Sequence, residues 1–140
     1  AFGEKIETPF PELTRLTPQA QEVSRATIDD IARLGIIRTR AACILTLAEA
    51  FSSGRLQLEP GAHPETTIVQ LVAQPGIGPW TAHYIAMRAL RWPDAFPKED
   101  IAVRNNLGGV TAKQAEDLSQ SWRPWRSYAV MHVWNRPVTK

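Results

Sequence analysis

The stretch that decides the fold is Leu71-Val-Ala-Gln-Pro-Gly-Ile-Gly-Pro-Trp-Thr-Ala82. Upstream of its turn, Ile68, Leu71 and Val72 recur at i, i+3, i+4, the spacing of one helix face. Downstream, Ala82, Ile85, Ala86 and Ala89 repeat that spacing. Only Pro75 to Pro79 lie between the two patterns, which leaves room for a tight hairpin and nothing more. Gly76 and Gly78 are free to take positive φ, so the backbone can turn sharply and approach a ligand closely. Pro79 suits the first position of a helix, where its missing N–H costs nothing. Residues 64–90 therefore read as helix, Gly-x-Gly hairpin, helix. The second helix begins with unpaired N–H groups that attract phosphate.

Working outward, every other segment also reads as short helix or loop. Residues 1–16 hold Pro9 and Pro11 and no sustained period, so an extended lead-in is expected. Thr17-Pro18 has the form of a helix start, predicting a helix to Arg25. Thr27-Ile-Asp-Asp30 caps another that ends at Gly35. Ala41, Ile44, Leu45, Ala48 and Phe51 mark one face of a helix over 38–52, closed by Gly54. Arg38 and Arg40 at its start read as a solvated face. Leu56 to His63 is expected as loop, and Pro64 opens the first hairpin helix. Beyond the second lie a Pro-broken loop over 91–100, a helix from Ile101 to Leu107 stopped by Gly108-Gly109, and a capping box at Thr111 to Gln114. Pro124 opens the last helix, with Tyr128, Met131 and Trp134 on one side, and residues 135–140 form a tail. No run alternates with period two, so the expected class is all-α, a compact array of short helices in one domain over residues 1–140.

Composition narrows the function classes. The chain has 140 residues, 44% hydrophobic, enough for one modest core. A net charge of +2 is compatible with a nucleic-acid partner without requiring one. A single cysteine, Cys43, excludes an internal disulfide and a Cys-ligated metal cluster within the chain, and His63, His83 and His132 show no metal-ligand spacing with it. No signal peptide or membrane-length apolar run is evident, which predicts an intracellular protein, cytoplasmic or nuclear. The chain opens without Met, which points to a processed product or a cut-down piece.

Three further features are candidates for chemistry. Asp100 follows Glu99 at a helix start, where Asp is also a preferred N-cap near the positive end of the helix dipole. Trp80 and Tyr84 stand at i, i+4 on one helix, with Trp134 on the last. Such rings ordinarily pack a core, yet lining a cavity they would stack on a nucleobase. The cluster Trp122-Arg-Pro-Trp-Arg-Ser-Tyr128 is read as packing for its Trp rings, with Arg123 and Arg126 left open between a core clamp and a phosphate contact.

The hairpin resembles the helix-hairpin-helix of DNA-binding proteins. Pro75-Gly-Ile-Gly-Pro-Trp-Thr-Ala-His-Tyr84, Phe96-Pro-Lys-Glu-Asp100, Trp122-Arg-Pro-Trp-Arg-Ser-Tyr-Ala129 and His132-Val-Trp134 follow one another in the order found in the DNA-3-methyladenine glycosylase II family. That family belongs to the helix-hairpin-helix, Gly/Pro-Asp (HhH-GPD) superfamily of base-excision DNA glycosylases. The likeness runs from Phe10 to Trp134. It implies that Asp100 is the catalytic aspartate, that Trp80, Tyr84 and Trp134 surround the damaged base, and that Gly76, Ile77, Gly78 and Thr81 hold DNA phosphates. No cofactor is required on this reading. A structural monovalent metal ion can sit at the hairpin of family members, which maps to the main-chain carbonyls of Val72, Gln74 and Ile77. The partner implied is double-stranded DNA containing damaged bases.

Two departures refine the expectation. Relatives that also cut the DNA backbone carry Lys two residues after the second hairpin Gly, as a Schiff-base nucleophile. Trp80 stands there, and an indole forms no imine, which predicts a monofunctional enzyme using water. The resemblance also implies a small β-containing domain and further helices ahead of Ala1. A missing N-terminal segment of the same protein, or another polypeptide, would then wall one side of the cleft, and these residues alone would be weakly active or inactive. The alternatives are a non-catalytic helix-hairpin-helix DNA-binding module and a scaffold for that missing segment.

Overall fold

In the computed structural model, residues 1–59 and 61–136 are described; Pro60, in the expected loop, and positions 137–140 of the expected tail lie outside them. The helices are α1 (Ala20–Ser24), α2 (Ile28–Ala32), α3 (Arg38–Ser52), α4 (Pro64–Val72), α5 (Pro79–Arg88), α6 (Ile101–Asn106), α7 (Ala112–Ser119) and α8 (Arg126–Trp134), with a 3-10 turn at Gln120–Trp122. Among the described residues there is no strand, only a lone antiparallel bridge between Lys5 and Arg15 in the lead-in. None of their helices is long and apolar enough to cross a membrane. Two compact units emerge, Ala1–Gln57 with Gln74–Gly76, and Leu58–Ala73 with Ile77–Lys140.

In the first unit α1 and α2 both pack on α3. Helix α1 starts later than Thr17-Pro18 suggests. Its N-cap is Gln19, whose backbone N–H donates to Glu22 Oε2 at 2.7 Å. The Thr27 cap is as expected, with Asp30 N–H donating to the Thr27 hydroxyl at 3.1 Å and Thr27 N–H to the Asp30 carboxylate at 3.0 Å. Burial on α3 does not follow the single face its apolar spacing implies, since Ala48 and Ala50 lie on opposite sides of the helix. Ala41, Ala48 and Ala50 are buried, while Phe51, expected inside, is exposed. After Gly54 (φ +73°) the chain turns back and buries Leu56, whose N–H reaches the Ala50 carbonyl at 3.1 Å.

The second unit is built on the pairing of α4 with α5. Its core takes Ala86 and Met87 from α5, Ala95 and Phe96 from the following loop, Val103 from α6, Ala115 from α7, and Val130 and Val133 from α8. On α4 the buried pair is Thr67 and Leu71, at i and i+4, which turns Val72 outward. Helix α8 begins at Arg126, not at Pro124, which follows a cis bond ahead of the N-cap Trp125. Its buried residues are Arg126, Ser127, Val130 and Val133; Met131 and Trp134 are half-buried and Tyr128 is exposed. The expected face is thus rotated. The first turn of α8 is turned inward by polar contacts of Arg126 and Ser127 that apolar periodicity cannot register.

Candidate active site

Asp100 sits where a ten-residue loop, Arg91 to Asp100, meets α6. The capping role read from the sequence is present, since Val103 N–H donates to Asp100 Oδ1 at 2.8 Å. Two further donors reach the same carboxylate from other helices. Trp134 Nε1–H, at the end of α8, donates to Oδ1 at 3.2 Å, and Trp80 Nε1–H, in the first turn of α5, donates to Oδ2 at 2.6 Å. The residue is 8% exposed, yet it lines an open hollow of about 310 Å³ with Trp80, Glu99, Ile101 and Ala102. A carboxylate has about four lone-pair positions. Three carry N–H donors here, two on Oδ1 and one on Oδ2, so Oδ2 keeps the open one.

The three rings form a continuous wall. Trp80 and Tyr84 stack at 5.4 Å between centroids and 10° between planes, and Tyr84 meets Trp134 at 6.2 Å and 47°. A base sandwiched between two rings needs them about 7 Å apart, twice a carbon–carbon contact. No such slot exists, so these rings offer an outer face, with Trp80 40% exposed. The Arg88 guanidinium lies over Tyr84 at 5.6 Å.

The loop behind Asp100 is held from α8. Arg123 and Arg126, the cations left open by the sequence, both turn to Asp94: Arg126 Nε donates to Oδ1 at 2.8 Å, Nη2 to Oδ2 at 3.0 Å, and Arg123 also bonds Oδ2. Arg126 is 4% exposed and also reaches Glu116 at 3.1 Å, so the core-clamp reading is the one realised for it. Trp122 packs edge-on to Phe96 as expected, whereas Trp125 is exposed, touching Tyr128 instead. His83 accepts from Phe96 N–H through Nδ1 at 3.4 Å. Burial holds its pKa below the ordinary 6.5, against the opposing pull of the Glu99 charge.

At the hairpin the two glycines differ. Gly76 takes φ +85°, and a Cβ there would stand 3.1 Å from Cys43 Cβ; Gly78 has φ −88°, so its freedom to take positive φ is not used. A Cβ on Gly78 would meet nothing within 4 Å. Gly78 is the N-cap of α5 and Pro79 its first residue, so the first-turn amides carry no intrahelical acceptor. Ile77 is buried and Thr81 half-buried. No group of three His, Cys, Asp or Glu that could hold a metal occurs among the described residues.

No family model matches the chain. The DNA-3-methyladenine glycosylase 2 of Escherichia coli K12 is 33% identical over 133 residues, which is 95% of this chain and 46% of that protein. The probable bifunctional transcriptional activator/DNA repair enzyme AlkA of Mycobacterium tuberculosis is 36% identical over 96% of this chain and 27% of its own length. Across nearly its whole length the chain is similar to DNA-3-methyladenine glycosylases. Its fold is that of the Schizosaccharomyces pombe 3-methyladenine DNA glycosylase Mag1, solved in complex with abasic DNA. There the TM-score is 0.72 at 23% identity, covering 84% of this chain and 62% of that one. The chain spans less than half the length of either of these two curated relatives.

Of the residues singled out in the sequence, Trp80 and Trp134 meet the Asp100 carboxylate and Tyr84 lies between their rings. Sequence reasoning missed His83, Asp94 and Ser127, which share no period and become visible only once the loop is folded. The Arg-Ser pair inside the Trp-rich cluster was the signal available for Ser127.

Proposed function

We propose that this chain carries the catalytic part of a monofunctional DNA glycosylase that hydrolyses the N-glycosidic bond of alkylated purines in duplex DNA. The observation that carries the reading is the Asp100 carboxylate held by the indoles of Trp80 and Trp134 beside an exposed aromatic face. The similarity to a DNA-3-methyladenine glycosylase of E. coli and the abasic DNA bound to the S. pombe enzyme support the substrate class.

The first-turn amides of α5, at Gly78 and Thr81, and the backbone of Gly76 and Ile77 take phosphate oxygens, which positions DNA without reading its sequence. The damaged nucleotide leaves the stack at a cost of a few kcal/mol that damage lowers. Its base lies on the outer aromatic face. A ring made cationic by alkylation is favoured there by about 0.5–2 kcal/mol per aromatic contact and is already a good leaving group. As the bond breaks, the sugar gains oxocarbenium character, stabilised by the Asp100 charge. The open position on Oδ2 accepts the proton of the attacking water. Trp80 supplies no amine, so no imine forms and the DNA backbone is left intact.

The test is base release from a duplex carrying one 3-methyladenine or hypoxanthine, read by alkaline scission. Asp100→Asn should lower release about 10³-fold while DNA affinity stays within about twofold. Release at the parent rate would overturn the assignment, and strand cleavage without alkali would overturn the monofunctional reading.

A further inference from the structure

Four consecutive carbonyls in the loop ahead of Asp100 accept hydrogen bonds from two adjacent residues of α8. Ser127 Oγ–H donates to Trp92 O at 2.7 Å and, in a bifurcated arrangement, to Ala95 O at 3.0 Å. Ser127 N–H donates to Pro93 O at 2.8 Å. Arg126 donates to Asp94 O from Nη2 at 2.8 Å and from Nε at 3.1 Å. Both residues are buried, 4% and 6% exposed. The far end of the same helix holds the far end of the same loop, through Trp134 Nε1–H on Asp100.

We infer that Arg126 and Ser127 are positioning residues for the reaction, gripping the 92–95 backbone so that α8 clamps the Asp100 loop at two points; this rests on the role proposed for Asp100. A helix is stiff, rising about 1.5 Å per residue, so the two grips hold a constant separation. Between them Ala95, Phe96 and Pro97 are buried, and Asp100 N–H bonds Pro97 O at 2.9 Å, which makes the intervening chain a rigid strut. A displacement of 92–95 therefore travels to the carboxylate instead of dissipating in a soft loop. Positioning errors of 1 Å cost on the order of 10²-fold in rate.

The experiment is Ser127→Ala in the whole chain, followed by ¹⁵N NMR of the Trp80 and Trp134 indole N–H resonances, with melting temperature measured alongside. The expected result is that both resonances move toward the position of a solvent-exposed indole while the protein stays folded. Base-release kcat should fall at least about tenfold with KM within about twofold. Arg126→Lys, which keeps the charge facing Asp94 but loses the two-nitrogen fork on its carbonyl, should shift the same two resonances should the Ser127 variant not fold. Ser127→Thr, which restores the hydroxyl, should return them. A lowered melting temperature with both indole resonances unmoved would overturn the inference, leaving the pair purely structural. Because the resonances report geometry without turnover, a chain with no base release but shifted indoles would sink the proposed function and not the clamp.

Discussion

A buried charge is held or lost by its partners, and Asp94 shows this at the scale of one residue. Arg126 keeps its guanidinium out of water because Asp94 takes two of its nitrogens and Glu116 a third. Asp94→Ala strips the larger share of that compensation and leaves a buried cation. The expected cost is about 3–5 kcal/mol, read as a lower urea midpoint; a change under about 1 kcal/mol would show that the network contributes little. Asp100 was legible as a cap from its place at a helix start, and as a candidate catalytic group only through the order of the motifs around it. A capping carboxylate already faces a helix start, and only one oxygen is committed to that task. Asp94 was not legible, since nothing local marks it. Its partners lie 29 and 32 positions away and carry no period.

Among the elements, the hairpin separates two glycines that the sequence presents as equals. Gly76→Ala forces a side chain into the left-handed region and against Cys43. It should destabilise by about 1–3 kcal/mol, measured by thermal or urea unfolding. Gly78→Asn enters open space at an N-cap, where Asn is favoured, so stability should hold within about 1 kcal/mol. Affinity for duplex DNA should nevertheless fall, because the new side chain sits over the amides proposed to meet phosphate. A parent-like affinity would remove Gly78 from that contact. The hairpin helices were readable because apolar spacing and turn chemistry agree there. The rotated face of α8 was not, since hydrogen bonds to loop carbonyls outweighed Tyr128 in choosing which side faces in.

For the molecule as a whole, acid is the direction in which His83 matters. Its folded pKa lies below the 6.5 of the unfolded chain, chiefly through burial. Between the two values the unfolded state binds the extra proton, so stability is held above 6.5 and declines as pH falls below it. His83→Gln removes this contribution, and its unfolding free energy should slope less steeply with pH on the acid side of 6.5. An unchanged slope would assign the acid sensitivity elsewhere. The all-helical class was readable throughout, because no segment carries period two and helix starts are marked by caps at Thr27 and Thr111 and by first-position prolines at Pro64 and Pro79. The later start of α1 escaped, as Gln19 with Glu22 closes the cap that Thr17 advertised.

The single open lone pair on Asp100 Oδ2 has a stereochemical consequence. A carboxylate with one vacancy can activate one nucleophile, approaching from one side of the sugar. In the proposed reaction the abasic sugar left in the strand should therefore form with a single anomeric configuration, and, because its hemiacetal re-equilibrates in water, running the reaction in aqueous methanol should trap one methyl glycoside in place of an anomeric mixture.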